Sequence, residues 1–207
     1  MKLILQNSGL VAAIGALFFG PVAIGATAQP KTKPLMDFSD PAVAKSWISV
    51  NDNVMGGVSE GKFLITDNKT LIFTGRLSLE NRGGFASIRT RPADLNLGGY
   101  DTVAVRVKGD GRTYYLNLRT SSRQVSGSYR APVTTKAETW QELRVPLKDF
   151  KYTTYGRRVA AGPAEASKVN SVGFTLADKQ AGPFRLEVAW IRAEKSEGNA
   201  NPTAAVK

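Results

Sequence analysis

Hydrophobic alternation with a period of two runs through almost the whole of this 207-residue chain and limits it to a β fold. In TLIFTGRLSLE (70–80), Leu71, Phe73, Leu77 and Leu79 fall on one register, with Gly75 between them. Val103, Val105 and Val107 alternate in TVAVRVK, Tyr114, Leu116 and Leu118 in TYYLNLRT, and Val172, Phe174 and Leu176 in SVGFTLA. PFRLEVAWIR repeats the pattern with Phe184, Leu186, Val188 and Trp190. Successive side chains of a strand point to opposite faces, so each run is a strand with one face in a core. Shorter strands are expected at 62–66, 85–90, 128–133 and 140–146.

Turn signals separate these runs: DN at 67–68, NRGG at 81–84, NLGG at 96–99, KGDG at 108–111 and AGP at 181–183. Glycine supplies the positive φ angles that such turns need. Only AGPAEASKV (161–169) offers a helical turn. Roughly nine or ten strands with almost no helix predict an all-β, antiparallel β-sandwich of jelly-roll type in a single domain.

The composition narrows the chemistry. There is no cysteine and no histidine, which removes disulfides, thiolate metal sites, the cysteine nucleophile and the usual imidazole base. The expectation is a protein that is not an enzyme. A hydrolase built on carboxylates alone is the alternative; Asp52, Glu60 and Glu80 are its candidates, but nothing singles out a pair at the spacing that glycoside hydrolysis needs. The formal charge of +11 points to an anionic partner, a glycan or a protein face, or else to a solvated basic surface.

The first 28 residues pair Lys2 with an apolar stretch from Leu10 to Ile24 and end in the small triplet Ala26, Thr27, Ala28. Such a segment predicts a cleaved secretory signal and an exported protein, periplasmic or extracellular in a bacterium, with no transmembrane anchor after cleavage. Gly15, Gly20 and Pro21 interrupt the stretch, and the first arginine is Arg76, unlike an Arg-rich transit peptide. QPKTKPLM (29–36) is expected as a polar leader, 37–192 as the domain, and 193–207 as a disordered tail poor in large apolar residues.

GGVSEGKF (56–63) comes within one residue of a phosphate loop, with Gly56, Gly61 and Lys62 in place. Phe63 replaces the magnesium-binding hydroxyl, and KFLITD continues as a strand where a phosphate loop requires a helix. No nucleotide site is expected. Asp52 and Asn53 open a calcium-loop pattern that Val54 and Met55 break. No cofactor is expected, although scattered loop oxygens leave a structural calcium open and any metal ligands unknown.

Four blocks carry a family resemblance: WISVNDNVMGGVSEG (47–61), FTGRLSLENRGGFASIR (73–89), WQELRVPLKDF (140–150) and GPFRLEVAWI (182–191). Together they resemble the NADH:ubiquinone oxidoreductase complex I intermediate-associated protein family. The resemblance implies a galactose-binding-like sandwich and a role in assembling respiratory complex I, and it implies no catalytic residue set. It marks Asn51, Asp52, Gly56, Gly57, Glu80, Asn81, Gly83, Gly84 and Arg89 as motif-loop positions; in the second block Glu80, Asn81, Arg82 and Arg89 flank Gly83 and Gly84, which reads either as a polar loop that grips a partner or as a tight hairpin.

Three polar residues of TYYLNLRT, Tyr115, Asn117 and Arg119, share a strand face opposite Leu116 and Leu118. An aromatic ring, an amide and a guanidinium suit a sugar or an anionic polymer; a solvated sheet face is the alternative. Tyr129 and Arg130 in SGSYRAP are expected to extend this surface. Trp47, Trp140 and Trp190 are expected in the core. KYTTYGRRVA (151–160) reads as a loop with interleaved Tyr and Arg, a pattern known for single-stranded nucleic acid. The exported leader argues against nucleic acid as a partner, and the sequence sets no oligomeric state.

Overall fold

The computed structural model describes residues 31–122 and 127–196. The expected signal segment and residues 197–207 of the expected tail lie outside these ranges.

Thirteen strands are present among the described residues. β1 (Thr32–Asp37), β3 (Glu60–Ile65), β4 (Leu71–Leu77), β6 (Thr102–Lys108), β9 (Trp140–Pro146) and β13 (Gly182–Glu194) form a six-stranded sheet. Its order is β3-β4-β13-β6-β9, and β1 pairs with β13 where β4 stops. The second sheet holds β2 (Trp47–Ser49), β5 (Ala86–Thr90), β7 (Thr113–Thr120), β8 (Gly127–Thr134), β10 (Lys151–Thr154), β11 (Arg157–Arg158) and β12 (Val169–Leu176). Its order is β11-β10-β8-β7-β12-β5-β2. Every pairing of named strands is antiparallel. This is the β-sandwich that the alternation predicts.

The period-two residues fill the space between the sheets. Leu71, Phe73 and Leu77 of β4, Val103, Val105 and Val107 of β6, and Leu186 and Val188 of β13 are buried against Tyr114, Leu116, Leu118, Val172, Phe174 and Leu176 from the other sheet. Phe73 lies edge-on to Phe184 at 4.8 Å and to Tyr114 at 6.4 Å, so aromatic rings bridge the two layers. Each fully buried side chain of this size contributes about 1.5–3 kcal/mol through loss of apolar surface from water. The Tyr114 hydroxyl donates to Asp110 Oδ2 at 3.0 Å, which satisfies its one polar atom.

Several expectations are corrected. Residues 32–36 are not a loose leader but most of β1, and the expected tail begins inside β13, where Ala193 is fully buried. Trp47 is in the core beside Phe38 and Phe63, but Trp140 and Trp190 are not. In β13 the alternation slips by one at a β-bulge: Val188 pairs with Val107 and Trp190 with Arg106, leaving Ala189 as the extra residue. A bulge re-aims every following side chain. Trp190 therefore turns outward, while Ile191 and Ala193 take the core positions.

Leu79 lies past the end of β4 and is exposed, and 151–160 is a hairpin rather than a loop. The hairpin turns at Tyr155 and Gly156, both with positive φ (47° and 72°), the pair of angles a type I′ turn demands. The expected helical turn shrinks to the 3-10 segment Ala166–Lys168.

Candidate functional site

The outer face of the seven-stranded sheet gathers residues that are far apart in the chain. Strand register sets Arg89 opposite Gly173, Gly173 opposite Asn117, Asn117 opposite Arg130, and Arg130 opposite Lys151. Arg119 stands one inter-side-chain repeat along β7 from Asn117 and pairs with Ser171. Strands lie about 4.8 Å apart, so three long arginine side chains reach one small cleft. Its lining is Ser87, Arg89, Asn117, Arg119, Ser128 and Arg130, with Ser171, Gly173 and Thr175 on its floor strand, and no acidic residue takes part. The cavity measures about 30 Å³.

Gly173 is needed for this shape. A side chain there would run into the Ile88 carbonyl and the Arg89 backbone, so its absence allows β5 to approach and leaves the middle of the row open.

The electrostatics of the cleft are those of crowded, half-buried cations. Burial, followed by the charges of Arg89 and Arg130, pushes the Arg119 guanidinium down to about 10. Burial also lowers Arg89 and Arg130 from the ordinary arginine value. Arg130 Nε donates to Ser128 Oγ at 3.1 Å, which holds its head over the cleft. Asn117 is only 8% exposed; its Nδ2 donates to Thr175 Oγ1 at 2.7 Å, and its Oδ1 has no hydrogen-bond partner.

Of the residues expected on this surface, Tyr115, Asn117, Arg119 and Arg130 share the outer face, with Tyr115 half-buried beyond Asn117. Tyr129 does not. It is 3% exposed and faces inward, its ring 5.1 Å from that of Tyr152, because β8 alternation sends Ser128 and Arg130 out and Tyr129 and Ala131 in. Arg89, expected among the motif loops, belongs to the cleft instead. The serines Ser87, Ser128 and Ser171 carry no sequence signal, and only register reveals them.

The remaining motif residues meet at one end of the sandwich around Asp52, which is fully buried. Its Oδ1 accepts from the Ser59 amide at 2.9 Å; its Oδ2 accepts from Ser59 Oγ at 2.6 Å, from Gly84 N at 2.7 Å and from Phe85 N at 3.3 Å. Burial alone would raise this carboxyl, but the four hydrogen bonds outweigh it and hold it below the usual carboxylate range. Ser59 Oγ also bonds Ser78 through both its amide and its carbonyl, tying the two loops together. A side chain at Gly57 or Gly83 would collide with the Asp52 carboxylate.

Asn51 completes the clamp, donating to the Gly61 carbonyl at 3.0 Å and accepting from Ser87 N at 3.4 Å. Gly56 ends the 3-10 turn Asp52–Met55 at φ 90°, while Glu80 and Asn81 sit in an exposed 3-10 turn, not in a simple hairpin. The two loops display Val54, Met55, Val58 and Leu79, 46–68% exposed, as an apolar tip. Lys62 lies on β3, so GGVSEGKF leads from a turn into a strand.

On the outer face of the six-stranded sheet, Trp140 and Trp190 flank a groove of about 450 Å³ with Arg106, Lys108 and Glu187. Arg192 stacks over Trp190 at 4.0 Å and Lys108 sits 5.3 Å from the Trp140 ring. Among the described residues, no group of three or more acidic side chains is placed to hold a metal ion.

Two antiparallel sheets with this order define a galactose-binding-like β-sandwich. A family 11 carbohydrate-binding module of a cellulosomal cellulase of Clostridium thermocellum has the same fold, with a TM-score of 0.61 at 14% identity over 81% of this chain and 97% of that one. The chain itself belongs to the Complex I intermediate-associated protein 30 (CIA30) family, whose profile matches residues 36–188. The Mus musculus complex I intermediate-associated protein 30, mitochondrial, is 29% identical over 70% of this chain and 51% of its own length. The Drosophila melanogaster protein of that name is 26% identical over 79% of this chain and 63% of its own. The chain thus spans about half to two thirds of these relatives. They are named as mitochondrial proteins, as is the Neurospora crassa relative, and this overturns the exported, periplasmic or extracellular location expected from the leader.

Proposed function

We propose that this chain is a non-catalytic assembly module that grips a protein partner, an intermediate of respiratory complex I, through the apolar tip at the Asp52 end of the sandwich. The observation that carries this reading is the tip itself. Val54, Met55, Val58 and Leu79 are half of the large hydrophobic side chains exposed on the described surface, and all four stand on loops locked to one buried carboxylate. A rigid, exposed apolar cluster is a feature of interaction surfaces, since it raises solubility costs without adding to the core. The relatives are named for association with complex I intermediates, which supplies the partner. The carboxylates considered for hydrolysis support the non-catalytic reading: Asp52 is enclosed by four donors, and Glu60 and Glu80 are exposed on separate elements.

The test is association with complex I intermediates in respiratory-membrane extract of the source organism, read by native electrophoresis and by cross-linking from position 55. Met55→Lys and Val58→Lys, both at exposed positions, are expected to weaken association by roughly tenfold or more without lowering the melting temperature. Cross-links to subunits outside complex I, or unchanged association in both variants, would sink the reading.

A further inference from the structure

We propose that the β10-β11 hairpin is a membrane-surface anchor that enters the headgroup layer of an anionic lipid bilayer tip-first. It lies at the end of the sandwich opposite the apolar tip, so both surfaces can be engaged at once, and it does not depend on what the apolar tip binds.

The position follows from register. β10 ends at Thr154, opposite Gly127 at the start of β8; Tyr129 of β8 pairs with Leu118, which carries this end across to Thr120 of β7 and Val169 of β12. The Asp52 loops bond Gly84 and Phe85, next to Ala86 and Leu176 at the other ends of β5 and β12. β11 closes the strand order of its sheet, and among the described residues no strand pairs with its outer side.

The hairpin overhangs the core. Val159 N donates to Tyr152 O at 3.1 Å, which continues the pairing and puts Val159 on the ribbon face of Tyr152. Tyr152 packs against the core, whereas Val159 is 45% exposed. At the turn Tyr155 is 75% exposed, the highest value among the large hydrophobic side chains described. A ring fixed at the tip of a tight turn is apolar surface that the core does not use.

Charge selects an anionic surface. KYTTYGRRVAAGP (151–163) holds Lys151, Arg157 and Arg158 and no carboxylate. Among the described residues the Arg157 and Arg158 side chains make no ion pair or hydrogen bond, whereas Arg112, Arg144 and Arg192 are each tied to a carboxylate.

Geometry selects the direction of approach. Arg157 pairs with Thr154 and Arg158 with Thr153, so the two guanidinium groups leave opposite faces of the ribbon just behind Tyr155. A partner lying against one face would meet only one of them. A planar surface that the ribbon enters end-on meets both. The Tyr155 ring then lies at the boundary of headgroups and acyl chains, where tyrosine is enriched in membrane proteins, and the arginines reach the phosphates.

Vesicle flotation tests the proposal on the unaltered protein, with phosphatidylcholine alone and with equimolar phosphatidylcholine and phosphatidylglycerol. Binding is expected to the mixed vesicles and is expected to weaken as salt rises from about 0.05 to 0.5 M. Arg157→Gln and Arg158→Gln, each confirmed as folded by its melting curve, are each expected to lower the affinity about fivefold, the roughly 1 kcal/mol of one cation at an anionic surface. Lys136→Gln combined with Lys179→Gln removes two exposed charges at the other end of the sandwich and is expected to leave the affinity within about twofold of the parent. Tyr155→Trp is expected to shift its emission to the blue on mixed vesicles by more than the three tryptophans of the parent do. Equal losses in the lysine and arginine variants would reduce the effect to net charge and overturn the proposal. So would the absence of that blue shift, equal binding to neutral vesicles, or no binding to the mixed ones. Tighter binding to a single-stranded oligonucleotide or to polyglutamate than to the mixed vesicles would overturn it in favour of a nucleic acid or an acidic protein.

Discussion

The Ser59 hydroxyl donates to the Asp52 carboxylate at 2.6 Å in a site sealed from solvent. That single contact joins the VNDNVMGGVS segment to itself, and the same carboxylate reaches the amides of Gly84 and Phe85 in the ENRGGFAS segment. Two loops separated by a strand hairpin thereby become one rigid end of the sandwich. Asp52→Ala leaves three backbone N–H groups without their acceptor and is expected to cost about 3 kcal/mol, read as a lower urea midpoint with little change in slope.

Asp52 also sets the acid limit. Its folded pKa lies below that of the unfolded chain, so its stabilisation is complete above the unfolded value of about 4 and is lost as pH falls through the folded value. Asp101, held down by the Ser196 hydroxyl, acts with the same sign. So do Asp178 and Glu187, where bonds from Arg112 and from Thr70 with Lys108 outweigh burial. The melting temperature is expected to drop steeply below about pH 4 and to drop less in Asp52→Asn. Parallel curves for the two proteins would contradict this assignment.

Arg119 contributes with the opposite sense. Burial first, and then the charges of Arg89 and Arg130, push this guanidinium down to about 10, so its charged form penalises the folded state below that pH and the penalty is relieved above it. The group is half-exposed and solvent screens most of the repulsion, so Arg119→Gln is expected to be neutral to stabilising, by no more than about 0.5 kcal/mol. Loss of more than about 1 kcal/mol would show that the contacts of the Arg119 side chain outweigh this penalty.

Glycine requirements differ sharply along the chain. A Cβ at Gly75 would run into the Glu60 carbonyl across the β3-β4 pairing, and one at Gly83 would lie 2.6 Å from Asp52 Oδ2. Gly162 has nothing within 4 Å and a φ open to any residue. Alanine is expected to cost about 1–3 kcal/mol at positions 75 and 83 and to be neutral or slightly stabilising at 162, measured by chemical denaturation.

The bulge at Ala189 predicts a spectroscopic signature. Trp47 is 3% exposed, whereas Trp140 is 36% exposed and Trp190 half-buried beside it. Acrylamide is expected to quench Trp140→Phe and Trp190→Phe less than the parent protein, and to leave quenching in Trp47→Phe undiminished. Deleting Ala189 removes the extra residue and leaves Val188, Ile191 and Ala193 inward with Trp190 outward, so the emission maximum is expected to stay close to that of the parent protein; a blue shift would contradict the bulge assignment.

How much was legible follows from the range of each interaction. The strand faces of Val103, Val105, Val107, Tyr114, Leu116 and Leu118 could be read from the chain, because side-chain alternation depends only on neighbours two residues apart. Tyr115, Asn117 and Arg119 were placed on one face by the same rule. Tyr129 was misplaced because a tyrosine suits either face, and only the inward position of Ala131 and Val133 on β8 decides between them. Trp190 was misplaced because a bulge adds one residue without leaving a mark in the pattern.

By itself the sequence determined that this chain is an antiparallel β-sandwich, and its paired motif blocks determined the family. It also excluded cysteine and histidine chemistry, which needs only a count. Tertiary structure alone decided that Arg89 stands with Arg119 and Arg130 across Gly173 and Asn117, and that Asp52 holds loops ending at Ser59 and Gly84. The physical reason is that alternation is local, whereas strand order and register are set by packing of whole strands whose residues lie tens of positions apart.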